Sequence, residues 1–330
     1  MKAAFLLAPE QVEIREVERP IVGPDQVLIQ PTRVGVCGSD VSFYAGHRVV
    51  PYPHLLGHEL VGRVAAVGTQ VTAIRVGQRV TVEPNYPCGK CQFCLTGRGS
   101  ICPNKQSMGV NLPGCFSEYA VAPAEYVWPL PDSVSDIDAA TIEPLCVSLH
   151  AFRTSNARLG DAVAVLGCGA TGLLLIQVAV AQGVRVLAHD KFPEKLEMAR
   201  RLGAVPAEGD DTAKLWQNEN VTTVFECAGA TATVDLALRG VPRGGQVILV
   251  GLASSPASFV PLRLVREGIR VAGSIIYDHP TDFSRAIALA ASGTLRPAEI
   301  VTDTLPFGSI KRALDLACTG QAGKIHIEMS

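Results

Sequence analysis

The alternation of apolar and polar residues changes character near residue 140. Before it, apolar residues fall in short β-branched runs, and strands are predicted over 26–30 and 60–67, the second closed by Gly68. Gly and Pro interrupt this part every few residues, as at Pro51-Tyr52-Pro53 and Pro129-Leu130-Pro131, which predicts a mostly β domain with functional loops. After it, apolar runs alternate in type. A buried strand is predicted over 162–166, an apolar helix over 169–181, a strand over 185–189, and a charged amphipathic helix over 193–202 stopped by Gly203. Further strands are predicted over 223–226, 246–250 and 270–272, with helical pattern between several of them, as over 231–239. Such alternation predicts an α/β domain with a doubly wound parallel sheet and helices on both faces. Beyond residue 274 come helices over 281–292 and 309–318, then a last strand over 324–329 that can return to the first domain.

Composition narrows the picture. A chain of 330 residues has room for two domains, and 48% hydrophobic against 18% charged residues excludes a largely disordered chain. A net charge of −2 leaves no basic surplus for phosphates, so no nucleic-acid partner is expected. The apolar run 3–8 is short for a signal peptide, and 173–181, which contains Gln177, falls far short of the roughly 20 residues that span a bilayer. The expectation is a soluble cytoplasmic protein with no membrane partner. In that reducing compartment, ten cysteines favour metal ligation over disulfides.

Four of them, Cys88, Cys91, Cys94 and Cys102, form C-x2-C-x2-C-x7-C. Four thiolates this close can close a tetrahedron on Zn2+ with no open position, a structural site; some iron–sulfur runs use related spacing. A second, open site is suggested by Cys37 in Cys37-Gly38-Ser39-Asp40, by Gly57-His58-Glu59 and by Glu143. Thiolate, imidazole and carboxylate make a zinc shell with room for water or a substrate oxygen. Asp40 is the candidate acceptor for the His58 ring N–H, and Ser39 the candidate proton relay. The remaining cysteines, Cys115, Cys146, Cys227 and Cys318, read as small core or loop residues.

Gly167-Cys168-Gly169-Ala170-Thr171-Gly172 is G-x-G-x-x-G, placed after a predicted strand and opening a predicted helix. Gly167 makes the turn, Gly169 admits the pyrophosphate, Gly172 lets helix and strand pack, and Cys168 fits as a small residue. The next strand runs into Asp190, whose carboxylate suits a ribose 2′-hydroxyl and repels a 2′-phosphate, so NAD is expected over NADP; the adjacent Lys191 either offsets that preference or contacts the ribose.

Together these motifs resemble the zinc-containing medium-chain dehydrogenase/reductase superfamily over nearly the whole chain. Glu143-Pro144-Leu145 followed by Ser148-Leu149-His150 looks like its polyol (sorbitol-type) and threonine dehydrogenase branch. The resemblance implies a GroES-like catalytic domain over 1–146 and 275–330, a Rossmann NAD-binding domain over 147–274, two zinc ions per chain, and a homodimer or homotetramer. It places the catalytic zinc on Cys37, His58 and either Glu59 or a water held by Glu143, two carboxylates that exchange roles as the metal shifts. The implied activity is hydride transfer between NAD and a secondary alcohol: a polyol, sugar acid or related hydroxy compound. A threonine-type or simple alcohol or diol dehydrogenase is the alternative, and a non-catalytic zinc- and NAD-binding protein the third reading. Where the sorbitol type has His-Tyr, this chain has Ser42 and Phe43, so the usual relay histidine is missing and His47 is the nearest substitute. Ile276-Tyr277 stands in place of Arg-Tyr. Phe43, Tyr44, Phe116 and Tyr277 are the candidate substrate-pocket residues.

Overall fold

The computed structural model describes residues 1–207 and 211–329. The chain divides into one unit of Met1–Glu143, Asp278–Gly293 and Pro297–Ser330 and another of Pro144–Tyr277 and Thr294–Arg296. These boundaries lie three residues from the expected breaks after 146 and 274. The short 294–296 piece joins the second unit because Gln177 grips Arg296, donating from Nε2 to its carbonyl at 3.0 Å and accepting its N–H at 3.2 Å.

The first unit is built around the strand Gln26–Val36. The sequence predicts only 26–30, because Pro31 has no N–H to give a ladder. The structure carries the strand across Pro31 through a register shift between Pro31 and Arg33, which lets it pair with three partners. Glu59–Val67 lies along one side; on the other, Ala120–Pro123 pairs with its first half and the returning strand Lys324–Glu328 with its second. A seven-stranded sheet results, with Val127–Pro129, Arg79–Val82 and Val301–Pro306 further out. Its apolar residues Ile29, Val34, Leu60, Val64, Val80 and Ile327 are at most 2% exposed and belong to one core. Register matters for the site: Gly35 lies opposite Glu59 on one neighbour and opposite His326 on the other.

The second unit is a six-stranded parallel sheet ordered Val205–Pro206, Arg185–His189, Ala162–Leu166, Val221–Glu226, Gln246–Leu249, Arg270–Gly273. The order reverses direction at Ala162–Leu166, which makes its carboxyl end the topological switch point. Successive side chains face opposite ways. Ala164, Leu166, Val224 and Val247 pack with Trp216, Val234 and Leu238, while on the other face Phe225 stacks on Phe152 with ring centroids 6.4 Å apart. The helix Ile142–Thr154 is absent from the sequence pattern: Pro144 sits in its first turn, where a missing N–H costs nothing. Among the described residues, no helix is long and apolar enough to cross a membrane.

Candidate active site

Cys37 follows the long strand directly and caps the helix Gly38–Tyr44. Asp40, fully buried, folds back: one carboxylate oxygen accepts the Cys37 N–H at 2.9 Å and the other accepts the Gly57 N–H at 3.1 Å. One carboxylate thus clamps the two segments that carry Cys37 and His58. Its distance to His58 Nδ1 is 3.7 Å, too long for the expected hydrogen bond, so Asp40 acts on the imidazole through charge. Gly57 turns the chain at φ +94°, and a β-carbon there would press at 3.0 Å on the Phe116 ring.

Ligand atoms of Cys37, His58 and Glu59 lie within 4.8 Å of one another, with His58 and Glu59 buried. Glu143 is buried but outside this triad. Burial pushes the His58 pKa down, but Asp40, Cys37 and Glu143 outweigh it and hold it well above the usual histidine value. The triad therefore sits in strongly negative potential, and Glu59 Oε1 has no hydrogen-bond donor. One thiolate, one imidazole and one carboxylate, converging and under-bonded, fit a zinc ion and leave a coordination position for substrate.

Sequence reasoning missed Lys324. Only 2% exposed, it forms an ion pair with Glu59 Oε2 and donates to the Val36 carbonyl at 2.9 Å. Burial pulls its pKa down, yet Glu59 and Cys37 raise it above the ordinary lysine value. A β-carbon on Gly35 would collide with the Glu59 carboxylate, so the glycine opposite Glu59 makes space for this pair. The available signal was a lysine heading a strand whose alternate positions, Ile325 and Ile327, are apolar.

The four-cysteine lobe closes as predicted in shape. Sγ separations of 3.5 Å (Cys91–Cys94), 3.8 Å (Cys91–Cys102) and 4.0 Å (Cys88–Cys94) bracket the roughly 3.8 Å edge of a tetrahedron with Zn–S bonds of about 2.3 Å. Backbone N–H groups of Lys90 and Cys91 lower the Cys88 pKa to about 6, favouring thiolate. All ten cysteines are free of disulfides.

In the second unit, Gly167 takes φ +92° and Gly169 caps the helix Ala170–Ala181 in extended conformation. A β-carbon on Gly169 would meet nothing within 4 Å, so bare backbone faces open space at a helix N-terminus, which fits a pyrophosphate. On Gly172 a β-carbon would collide with the Gly167 carbonyl. Ala170 and Thr171 form the first turn. Asp190 is fixed by the N–H groups of Cys168 (2.7 Å) and Phe192 (2.9 Å). Exposed Lys191 lies over the Phe192 ring, and Lys195, buried and also missed from sequence, stands beside the same ring.

Three of the four expected pocket aromatics pack into a core. Phe43, Tyr44 and Phe116 are at most 2% exposed in the core of the first unit. Tyr44 donates to Asp315 at 2.5 Å and Phe116 lies beneath Gly57, so both rings are occupied with internal packing. Tyr277, 2% exposed, ends the second unit. Ser39 is partly buried on the first turn after Cys37, and His47 is exposed.

Residues 23–132 match the alcohol dehydrogenase GroES-like domain, and residues 170–292 match the zinc-binding dehydrogenase domain. Sorbitol dehydrogenase of Bacillus subtilis (strain 168) is 32% identical over 96% of this chain and 93% of its own length. L-threonine 3-dehydrogenase of Salmonella typhi is 31% identical over 98% of both chains. The crystal structure of galactitol-1-phosphate dehydrogenase from Escherichia coli superimposes with a TM-score of 0.92 at 30% identity, covering 100% of each chain. The chain belongs to the zinc-containing alcohol dehydrogenase family, on its polyol and threonine dehydrogenase side.

Removing Lys324 strands the Glu59 carboxylate in the interior. Lys324→Met is expected to cost about 3–5 kcal/mol in urea denaturation of chelator-treated protein, and less after zinc is restored. Equal stability of variant and wild type without metal would contradict the pairing.

Proposed function

We propose that this chain oxidises secondary alcohols of polyols, sugar acids or related hydroxy compounds, with NAD as acceptor. The observation that carries the reading is the convergence of Cys37 with the buried His58 and Glu59. When bound, zinc supplies Lewis acidity toward a substrate hydroxyl, and the dinucleotide supplies the hydride acceptor. The protein's part is placement and proton handling. Asp40 holds the Cys37 and His58 segments in register through two backbone N–H groups. Ser39 Oγ takes the hydroxyl proton and passes it outward. Glu143 adds negative charge beside His58 and Lys324. In the second unit, Gly167 to Gly172 receives the pyrophosphate, and the fixed Asp190 carboxylate accepts from the ribose and repels a 2′-phosphate. Ten free thiols suit the cytoplasm.

We infer that the protein is a homo-oligomer. Arg270–Gly273 is the open edge of the parallel sheet, with Val271 42% exposed, and the preceding helix Pro261–Glu267 exposes Leu262 (60%) and Val265 (80%). An edge strand and helix with exposed apolar residues of this kind are suited to pairing with a second copy.

The catalytic reading is tested by following reduction of NAD and NADP across polyols, aldonates, hydroxy acids, diols and threonine. NADH formation from the polyol class is expected, with Cys37→Ser losing at least about 100-fold in kcat/KM while still binding NADH. Turnover of threonine alone favours the second reading, and NADH binding without turnover of any alcohol contradicts both. For assembly, light scattering should give a multiple of 34.9 kDa, and Val265→Asp with Val271→Asp should lower it; a wild-type monomer overturns the inference.

A further inference from the structure

The strand Val221–Glu226 ends in a carboxylate that none of the chemistry above employs. Glu226 is fully buried. Its Oε1 accepts three donors: the N–H of Ala228 at 3.0 Å, the N–H of Gly229 at 2.9 Å and the hydroxyl of Thr233 at 2.7 Å. Its backbone carbonyl accepts two more, from Val250 and Gly251, each at 2.9 Å. One residue thereby ties together the loops that leave two neighbouring strands.

Those loops also touch the phosphate loop. A β-carbon on Gly167 would lie 2.7 Å from the Ala228 nitrogen, and one on Gly251 would lie 2.8 Å from Glu226 Oε2 and collide with Gly229. Close packing of this kind transmits any shift of one loop to the others.

Sheet order gives the assembly a purpose. Asp190 follows Arg185–His189, on one side of Ala162–Leu166, whereas Val221–Glu226 and Gln246–Leu249 lie on the other. A dinucleotide with its pyrophosphate at Gly167–Gly172 and its adenosine ribose at Asp190 must carry its other half across the switch point toward these two strands. The wall it meets there is the backbone of 227–230 and 250–252.

We propose that Glu226 is a positioning residue that shapes the nicotinamide half of the cofactor site. It touches no reacting atom; it holds the backbone that does the contacting. The proposal rests on Gly167–Gly172 being a dinucleotide site, and binding of ADP-ribose by wild type tests that reading separately.

The experiment compares NADH with ADP-ribose, which lacks the nicotinamide, on the zinc-replete protein. Glu226→Ala should weaken NADH binding about ten-fold or more and ADP-ribose by less than about two-fold. Glu226→Gln, which keeps an acceptor oxygen for the three donors, should recover most of the NADH affinity. Equal losses for both ligands would assign Glu226 to general support of the fold, and unchanged NADH binding would remove its role; either overturns the proposal. Should Glu226→Ala fail to fold, Thr233→Val removes one donor and should weaken NADH alone, by about three-fold. No loss, or a loss shared by ADP-ribose, again overturns it.

Discussion

Glu59 is 1% exposed and lies among Cys37, His58 and Lys324, with Asp40 and Glu143 close enough to act on the same groups. Ions taken from water into a protein interior cost several kcal/mol each unless partners replace the hydration. Lys324 and the backbone N–H groups on Asp40 replace part of it. The remaining anionic excess is what a divalent cation answers. Much of the first unit can be read as the scaffold this concentration of charge requires.

Gly35 has no side chain because the Glu59 carboxylate occupies that space. The final strand returns to pair with Gln26–Val36 and brings Lys324 to Glu59, so the charge cluster around Glu59 is complete only when that strand has joined the sheet. The second unit obeys a different constraint. Its switch point leaves open space before the Gly169 backbone, and Glu226 holds the neighbouring, closely packed loops by hydrogen bonds.

Local chemistry was legible in the sequence wherever it was contiguous. The cysteine lobe, the glycine loop with Asp190, and the strands 162–166 and 185–189 all rest on short-range pattern, and the structure reproduces those strands residue for residue. Partners distant in the chain were not legible: Glu59 and Lys324 are joined by strand pairing, which no spacing encodes. The helix Ile142–Thr154 carries apolar residues on more than one face, so it lacked an amphipathic stripe. Aromatic residues near Cys37 suggested a pocket, but Phe43 and Tyr44 follow it on a helix that turns them into the core. Asp40 was identified as a partner of His58, while its hydrogen bonds go to backbone N–H groups whose positions exist only in the folded chain.

The buried charge around Glu59 suits a metal ion, and anomalous diffraction at the zinc edge, from crystals of the purified protein, can locate it. It should show two zinc peaks per chain, one within the Cys88 lobe and one about 2.0–2.3 Å from Cys37 Sγ, a His58 ring nitrogen and a Glu59 carboxylate oxygen. A filled lobe with no density between Cys37 and His58 would contradict it.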